Sequence, residues 1–409
     1  MHVAIQKIYF YEREFCVQDN YVTRQANRLF DRHLVVYDGD RVRRRDAHPW
    51  PAFARNSQTG CPQHREDCAR QAPVFDTRLS ADGRVSCASC HQPDKAFTDG
   101  KPVAVGVNGK QGTRNTPSVL NMQWQHSFFW DGRRSSLEAQ VLDAFVGPAE
   151  QGFKDHAVLL HIMQGDRDYR RQFAQAFDLK AAPGVLPPTY REELMSREAG
   201  RRERPATLAQ DPAITKEQVA RALADFVRSL TAGDAPFDRY YYANDKRALS
   251  AAAQRGLEVF RGAGQCATCH LIGEHNALFT DQQFHSVGVA LERIRPQLAT
   301  LTMRVVNAKP EQISLLIATD PAVAALGRFL VTKEPVDIGR FKTPSLRNVA
   351  LTAPYMHDGS IPTLEEAVER EVYYRGLSTG RPLILTPAEK ADLIEFLKAL
   401  TSTGLPGNR

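Results

Sequence analysis

Two short stretches carry residues whose types and spacing alone could do chemistry: Cys87-Ala-Ser-Cys90-His91 and Cys266-Ala-Thr-Cys269-His270. Each is a C-x-x-C-H box, the spacing at which two thiols add across the vinyl groups of a porphyrin and the next imidazole turns onto the iron. A zinc knuckle or a thioredoxin-like dithiol would use such cysteine pairs, but neither requires His at the fifth position, and here it stands there twice. The boxes imply two covalently bound haems c, with His91 and His270 as the ligands of haem irons 1 and 2.

The rest of the composition narrows the class. The chain has 409 residues, enough for two domains and a tail, and a net charge of +6 with well-mixed charged residues. That charge is too mild, and too little interleaved with aromatics, to point to nucleic acid. No run of about 20 apolar residues is present, so no membrane span is expected. The first twenty residues show no apolar h-region of a signal peptide. Bacterial c-type haem is attached after export, so a periplasmic location is expected from the haem chemistry, and a misassigned start or a lost leader would reconcile the two. The three remaining cysteines, Cys16, Cys61 and Cys68, precede the first box; Cys61 and Cys68 form either a short-loop disulfide or a pair of free thiols.

The elements that must position the boxes read as helices. Residues 1–70 are Arg-rich and aperiodic, an irregular N-terminal extension. Helical patterns fall near 136–146, 155–178 and 215–231, the last opened by a capping box of Thr215 and Gln218. A Pro- and Arg-rich stretch at 181–213 reads as a surface insertion, and 232–248 as an interdomain linker. A new helix starts at Ser250 and runs into the second box, and a capped amphipathic helix with Pro387 in its first turn closes the chain. Phe97-Thr98-Asp99 after the first box is echoed by Phe279-Thr280-Asp281 after the second, the mark of a diverged duplication. Strand-like alternation is scarce. The fold class expected is mainly α, divided as extension 1–70, first haem domain 71–235 and second haem domain 236–409.

Over roughly residues 74–401 the chain resembles the bacterial dihaem cytochrome c peroxidase and MauG family. The stretches that carry the resemblance are SCASCH, AFTDG, RNTPSVLN, FFWDGR, FHSVGV, GRFKTPSLRNVALTAPYMHDGS and TLEEAV; residues 1–70, 181–213 and about 290–330 lie outside it. It implies two cytochrome c-like domains facing each other, a peroxidatic haem in the first and an electron-transfer haem in the second. In that family a Glu lies twenty residues past the Trp of WDGR, with a Gln halfway; here these are Trp130, Gln140 and Glu150. The resemblance makes Glu150 the group that moves a proton between the peroxide oxygens, and its burial beside a haem should raise its pKa. Trp130 becomes an electron relay between the haems, while Trp124 has no such role and is expected in the core. A calcium ion between the domains is implied at Asn115, Thr352 and Pro354, the last two through backbone carbonyls.

Two departures bear on the subtype. The conventional peroxidases of the family cap the first haem with a His from the loop after AFTDG; here that position is Val107, and His126 is expected to be packed or at the surface. An uncapped iron is the behaviour of the MauG-like branch. The second haem's distal ligand in the family, Met or Tyr, lies fourteen residues past the His of HDG. That position is Glu371, while the surrounding text suggests a two-residue shift that brings up Tyr373; Tyr374, Met356 and Glu371 are the alternatives. His357 is expected near the second haem, and no role is assigned to His275 or His285. The expected function is reduction of hydrogen peroxide at the first haem. Electrons would come through the second haem from a cytochrome, a cupredoxin or, in a MauG-like maturation, a protein side chain. The rival reading, a non-catalytic dihaem electron carrier, predicts two closed irons and no pocket acid.

Overall fold

The computed structural model describes residues 73–177 and 213–403. The expected extension 1–70, cysteines 16, 61 and 68, and nearly all of the 181–213 insertion lie outside the described residues. The described part belongs to one compact unit, Gln58–Arg409, that contains both boxes.

The first half is built from short helices, each started by a side-chain cap. Helix α1 (Leu137–Val146) begins where Ser136 Oγ accepts from Ala139 N at 3.2 Å. The pattern over 155–178 resolves into two helices, α2 (His156–Gly165) and α3 (Arg167–Ala176). The break is at Asp166, whose carboxylate accepts from the amides of Asp168 and Tyr169 and so starts a second helix. Helix α4 (Lys216–Ser229) carries the expected Thr215–Gln218 capping box. Leu79, Phe145, Leu159, Met163, Phe173 and Leu223 form the core of this half.

The stretch expected as a linker is packed instead. It contains helix α5 (Pro236–Tyr241), whose Phe237 is fully buried against Phe279 and Phe396. Helix α6 (Ala251–Arg261) follows Ser250 as expected and crosses the closing helix of the chain. Beyond the second box come α7 (Leu298–Asn307) and α8 (Pro310–Thr319), which pack their own core of Ile294, Leu301, Val305, Ile317 and Leu326. Helices α9 (Leu364–Thr379) and α10 (Pro387–Lys398) complete the second half. At the α6–α10 crossing a Cβ on Gly256 would strike the backbone carbonyl of Asp392, so only glycine permits this approach.

Among the described residues the only sheet is a two-stranded antiparallel pair, β1 (Phe284–His285) with β2 (Phe341–Lys342), in the register Phe284 to Lys342 and His285 to Phe341. Its importance is positional. Lys342 N donates to Trp130 O at 2.8 Å and Thr343 N to Gln283 O at 2.9 Å, so β2 ties the WDGR segment to the segment after the second box.

Candidate active site

Each box folds as a tight turn that aims three side chains at one place. His91 N donates to Cys87 O, and His270 N to Cys266 O, both at 2.9 Å. His91 Nδ1 donates to Phe97 O at 3.0 Å and His270 Nδ1 to Phe279 O at 2.8 Å. A carbonyl can only accept, so each bond fixes the tautomer that leaves Nε2 with a lone pair for a metal. Both carbonyls are presented by a phenylalanine in the left-handed region, φ 61° at Phe97 and 52° at Phe279. The duplicated Phe-Thr-Asp therefore has a geometric purpose: it orients the proximal imidazole. Burial lowers the pKa of both imidazoles, opposed by these same hydrogen bonds, and keeps them neutral. Burial also pushes the thiols up, to about 11 for Cys87 and about 12 for Cys90 and Cys266.

Both boxes open onto one cavity of about 1480 Å³, whose lining includes Cys87, His91, Cys266, His270, Trp130 and Glu150. The walls fit two haems. They are largely apolar, with basic groups at Arg114, Arg328, Arg340 and Lys342 that could meet propionates. Lys342 is pushed down to about 8 by burial, with Asp131 opposing; its Nζ donates to Gln125 Oε1 at 3.1 Å and to Ser127 O. His357, 5% exposed, stacks on Phe341 at 3.7 Å and leaves Nε2 buried without a hydrogen-bond partner in the same wall. An orphaned buried nitrogen is costly unless a bound group satisfies it.

On the first-box side, Glu150 and Gln140 both face the cavity. Burial raises the Glu150 carboxyl, with Arg133 pulling the other way and Asp143 adding to the rise. The segment carrying Glu150 is held by the loop that ends in Val107: Val107 N donates to Glu150 O at 2.9 Å, and Val107 is 2% exposed. A Cβ on Gly106 would strike the backbone of Ala149 and Glu150, so the two loops meet at backbone contact. Trp130 joins the two halves through its polar atoms. Its Nε1 donates to Asn115 O at 2.9 Å, and Asn115 N donates to His357 O at 2.9 Å.

On the second-box side, Glu371, Tyr374, Arg375 and Met356 line the cavity, and Tyr373 does not. Tyr373 is 56% exposed and lies in an outer groove with Ser360, Pro362 and Glu366. The reading of Tyr373 as distal ligand is thereby corrected: on an unbroken helix it falls on the opposite side from Glu371, so no two-residue shift operates. Tyr374 donates its hydroxyl to Glu292 Oε1 at 2.8 Å. The accessible surface of Glu371 opens into the cavity, and the protein around it pushes its carboxyl up to about 7, with Arg375 opposing.

The comparisons with known proteins agree with this geometry. The family profile for di-haem cytochrome c peroxidase matches residues 74–247. The chain is 30% identical over 342 residues to the methylamine utilization protein MauG of Methylophilus methylotrophus, covering 81% of each chain. It is 30% identical over 340 residues to the cytochrome-c peroxidase IdrP2 of Denitromonas iodatirespirans, covering 81% of this chain and 80% of that one. The chain belongs to the di-haem cytochrome c peroxidase family. The crystal structure of a MauG-like protein associated with microbial copper homeostasis superposes with a TM-score of 0.61 at 29% identity, over 83% of this chain and 90% of that one.

As an oxidoreductase of the di-haem peroxidase family, the protein can be placed residue by residue. Asn115, Thr352 and Pro354, the expected calcium positions, line the common cavity. Asn115 Nδ2 donates to Lys101 O at 2.9 Å, leaving its side-chain oxygen as the hard donor a calcium ion would use. His126 is exposed, and its amide donates to Gln282 Oε1 at 2.7 Å. Trp124, expected in the core, is 47% exposed, because it ends a single 3-10 turn at the surface whose carbonyl is held by Gln282. Cys269 Sγ, Asp281 and His285 offer ligand atoms within 4.8 Å of one another. Asp281 and His285 already bond each other at 2.7 Å, and Cys269 belongs to the box. Arg133 was not singled out from the sequence. Its guanidinium lies 3.3 Å from the Phe129 ring centroid and bonds Asp131, and from there its charge acts on Glu150. Its only signal in the sequence is its place as the Arg of WDGR. No helix among the described residues is long and apolar enough to cross a membrane.

Proposed function

We propose that the protein is a periplasmic dihaem c-type peroxidase that reduces hydrogen peroxide beside His91. Its two cytochrome c-like halves, divided near residue 235, would face each other across the cavity, with a calcium ion at Asn115, Thr352 and Pro354. The observation that carries this reading is the half-buried acid Glu150 on the wall that the first box shares, beside a loop whose distal-ligand position is Val107. His91 would hold a haem iron through Nε2, and that group would supply the redox chemistry of peroxide reduction.

The chain's own groups do the proton work. Glu150, ionised on arrival of peroxide, accepts the proton from one oxygen and returns it to the departing one, so that water leaves. The Gln140 amide holds the substrate by hydrogen bonding. Arg133 keeps the ionised form of Glu150 within reach although burial opposes it. Trp130, fixed by Asn115 O, relays electrons between the halves. The donor is a small cytochrome or cupredoxin, or a protein side chain if the protein works in the manner of its MauG relatives.

The test is electron paramagnetic resonance of the diferric holoprotein before and after stoichiometric peroxide. A high-spin ferric signal that peroxide abolishes supports the reading. Two low-spin signals that do not respond until one haem is reduced would show that a ligand closes the first iron. No turnover even after reduction would leave an electron carrier.

A further inference from the structure

The proton chemistry above leaves one acid on the cavity wall without employment. Glu371 sits on α9 and lines the cavity, one turn before Arg375, which lines it too. Arg375 reaches the second box directly: Nη1 lies 3.5 Å from Cys269 Sγ, and Nη2 bonds Thr268 Oγ1. After burial itself, the carboxylate of Glu371 is the strongest influence on the Cys266 thiol. Glu371 and His270 line the same cavity.

The other oxygen donors near this box are engaged elsewhere. Tyr373 faces the outer groove, Tyr374 is bonded to Glu292, and Asp281 is bonded to His285. Among the heteroatoms left on the wall are the thioether of Met356 and the unpartnered Nε2 of His357. A neutral thioether and an anionic carboxylate differ sharply in what they do to a haem, because a negative oxygen donor favours the ferric over the ferrous state.

Resting on the dihaem reading, we propose that Glu371 is the distal oxygen ligand of the haem held by His270, so that this haem carries an imidazole–carboxylate pair. Arg375, one turn on, places a positive charge on the same helix face. The second haem is thereby poised at a low reduction potential, suited to passing oxidising equivalents outward and poorly suited to storing electrons.

The experiment compares wild-type holoprotein with Glu371→Gln, Glu371→Met, Met356→Leu and Tyr374→Phe. Haem content, resonance Raman and paramagnetic resonance spectra, and the two midpoint potentials are measured for each. The first haem is common to all, so difference spectra isolate the second. The expected result is that Glu371→Gln removes the wild-type spectrum of the second haem. Glu371→Met replaces it with a sulfur-to-iron charge-transfer band and shifts one midpoint potential upward. Met356→Leu and Tyr374→Phe leave both haems unchanged. A second-haem spectrum that survives Glu371→Gln, or one that Met356→Leu abolishes, overturns the proposal. A protein that binds fewer than two haems, or whose first haem ignores peroxide, fails the dihaem peroxidase reading itself and is told apart by haem content and by the first-haem signal.

Discussion

A carboxyl group that must take a proton and give it back within one turnover needs a pKa near the working pH, and burial beside a cavity is how a protein obtains one. Glu150 has that environment, its carboxyl raised by burial. Because the ionised form is the one that accepts the peroxide proton, kcat/KM should fall as pH drops through this raised pKa. The acid limb should therefore lie above the ordinary glutamate value of about 4.3. Glu150→Gln should remove the limb and lower kcat by roughly 10²–10⁴-fold, the usual contribution of a positioned acid–base. Stopped-flow kinetics across pH, with haem content confirmed unchanged, checks both. A wild-type limb at the ordinary carboxylate value would show that Glu150 is solvated. The raised pKa also has a stability sign: the folded state favours the protonated carboxyl. The associated stability is full below the unfolded pKa and is lost as pH rises through the folded one; Glu150→Gln should flatten this part of the melting profile.

The elements around the site are held by a few contacts that tolerate little change. Arg347, 9% exposed, bonds both Asp238 oxygens and, through Nε, Ala277 O at 2.7 Å, fastening α5 to the second core. Asp238→Ala leaves that guanidinium buried and unpaired, and the expected cost is about 3–5 kcal/mol, read from urea unfolding of the holoprotein. At the α6–α10 crossing, Gly256→Leu forces apart helices that meet backbone to side chain, against Phe396. A loss of about 1–3 kcal/mol or more is expected from such overpacking. A melting temperature equal to the wild type would mean that the helices do not approach this closely in solution. Neither position lines the cavity, so peroxide chemistry per haem should survive in the folded fraction.

At the scale of the whole molecule, one cavity is shared by both boxes and walled by residues from 74 to 397. Haem attachment is therefore expected to be a condition of folding, because the cavity walls have nothing else to pack against. A Cys266→Ser, Cys269→Ser variant should loosen the second half, where Phe237, Phe260, Phe279 and Phe396 meet behind the box. Increased dye binding and loss of the cooperative melting transition, measured by fluorescence and calorimetry, would report it. A single cooperative transition at the wild-type temperature would show that the second core stands without its haem.

The chain's own text determined whatever depends on local spacing. The two boxes, the repeated Phe-Thr-Asp, the helix starts at Ser136, Thr215, Ser250 and Thr386, and the offsets from Trp130 to Gln140 and Glu150 are all fixed within a few turns of backbone. Caps, periodicity and covalent attachment need no distant partner, so they can be read in order. Facing, burial and pairing were decided by the tertiary structure. Whether Tyr373 or Glu371 meets the cavity depends on which side of α9 the second core covers, and residues two apart on a helix look nearly opposite ways. Whether 232–248 is a tether or a packed helix depends on whether Phe237 finds Phe279 and Phe396. Trp124 could not be told from a core residue until the turn that carries it was seen at the surface. The charge of Arg133 acts on Glu150 only because the fold brings both onto one cavity wall. Each of these outcomes rests on a contact between residues remote in sequence or on the side of a helix the core covers. Burial, which sets the pKa of Glu150 and Glu371, exists only once that surface has closed.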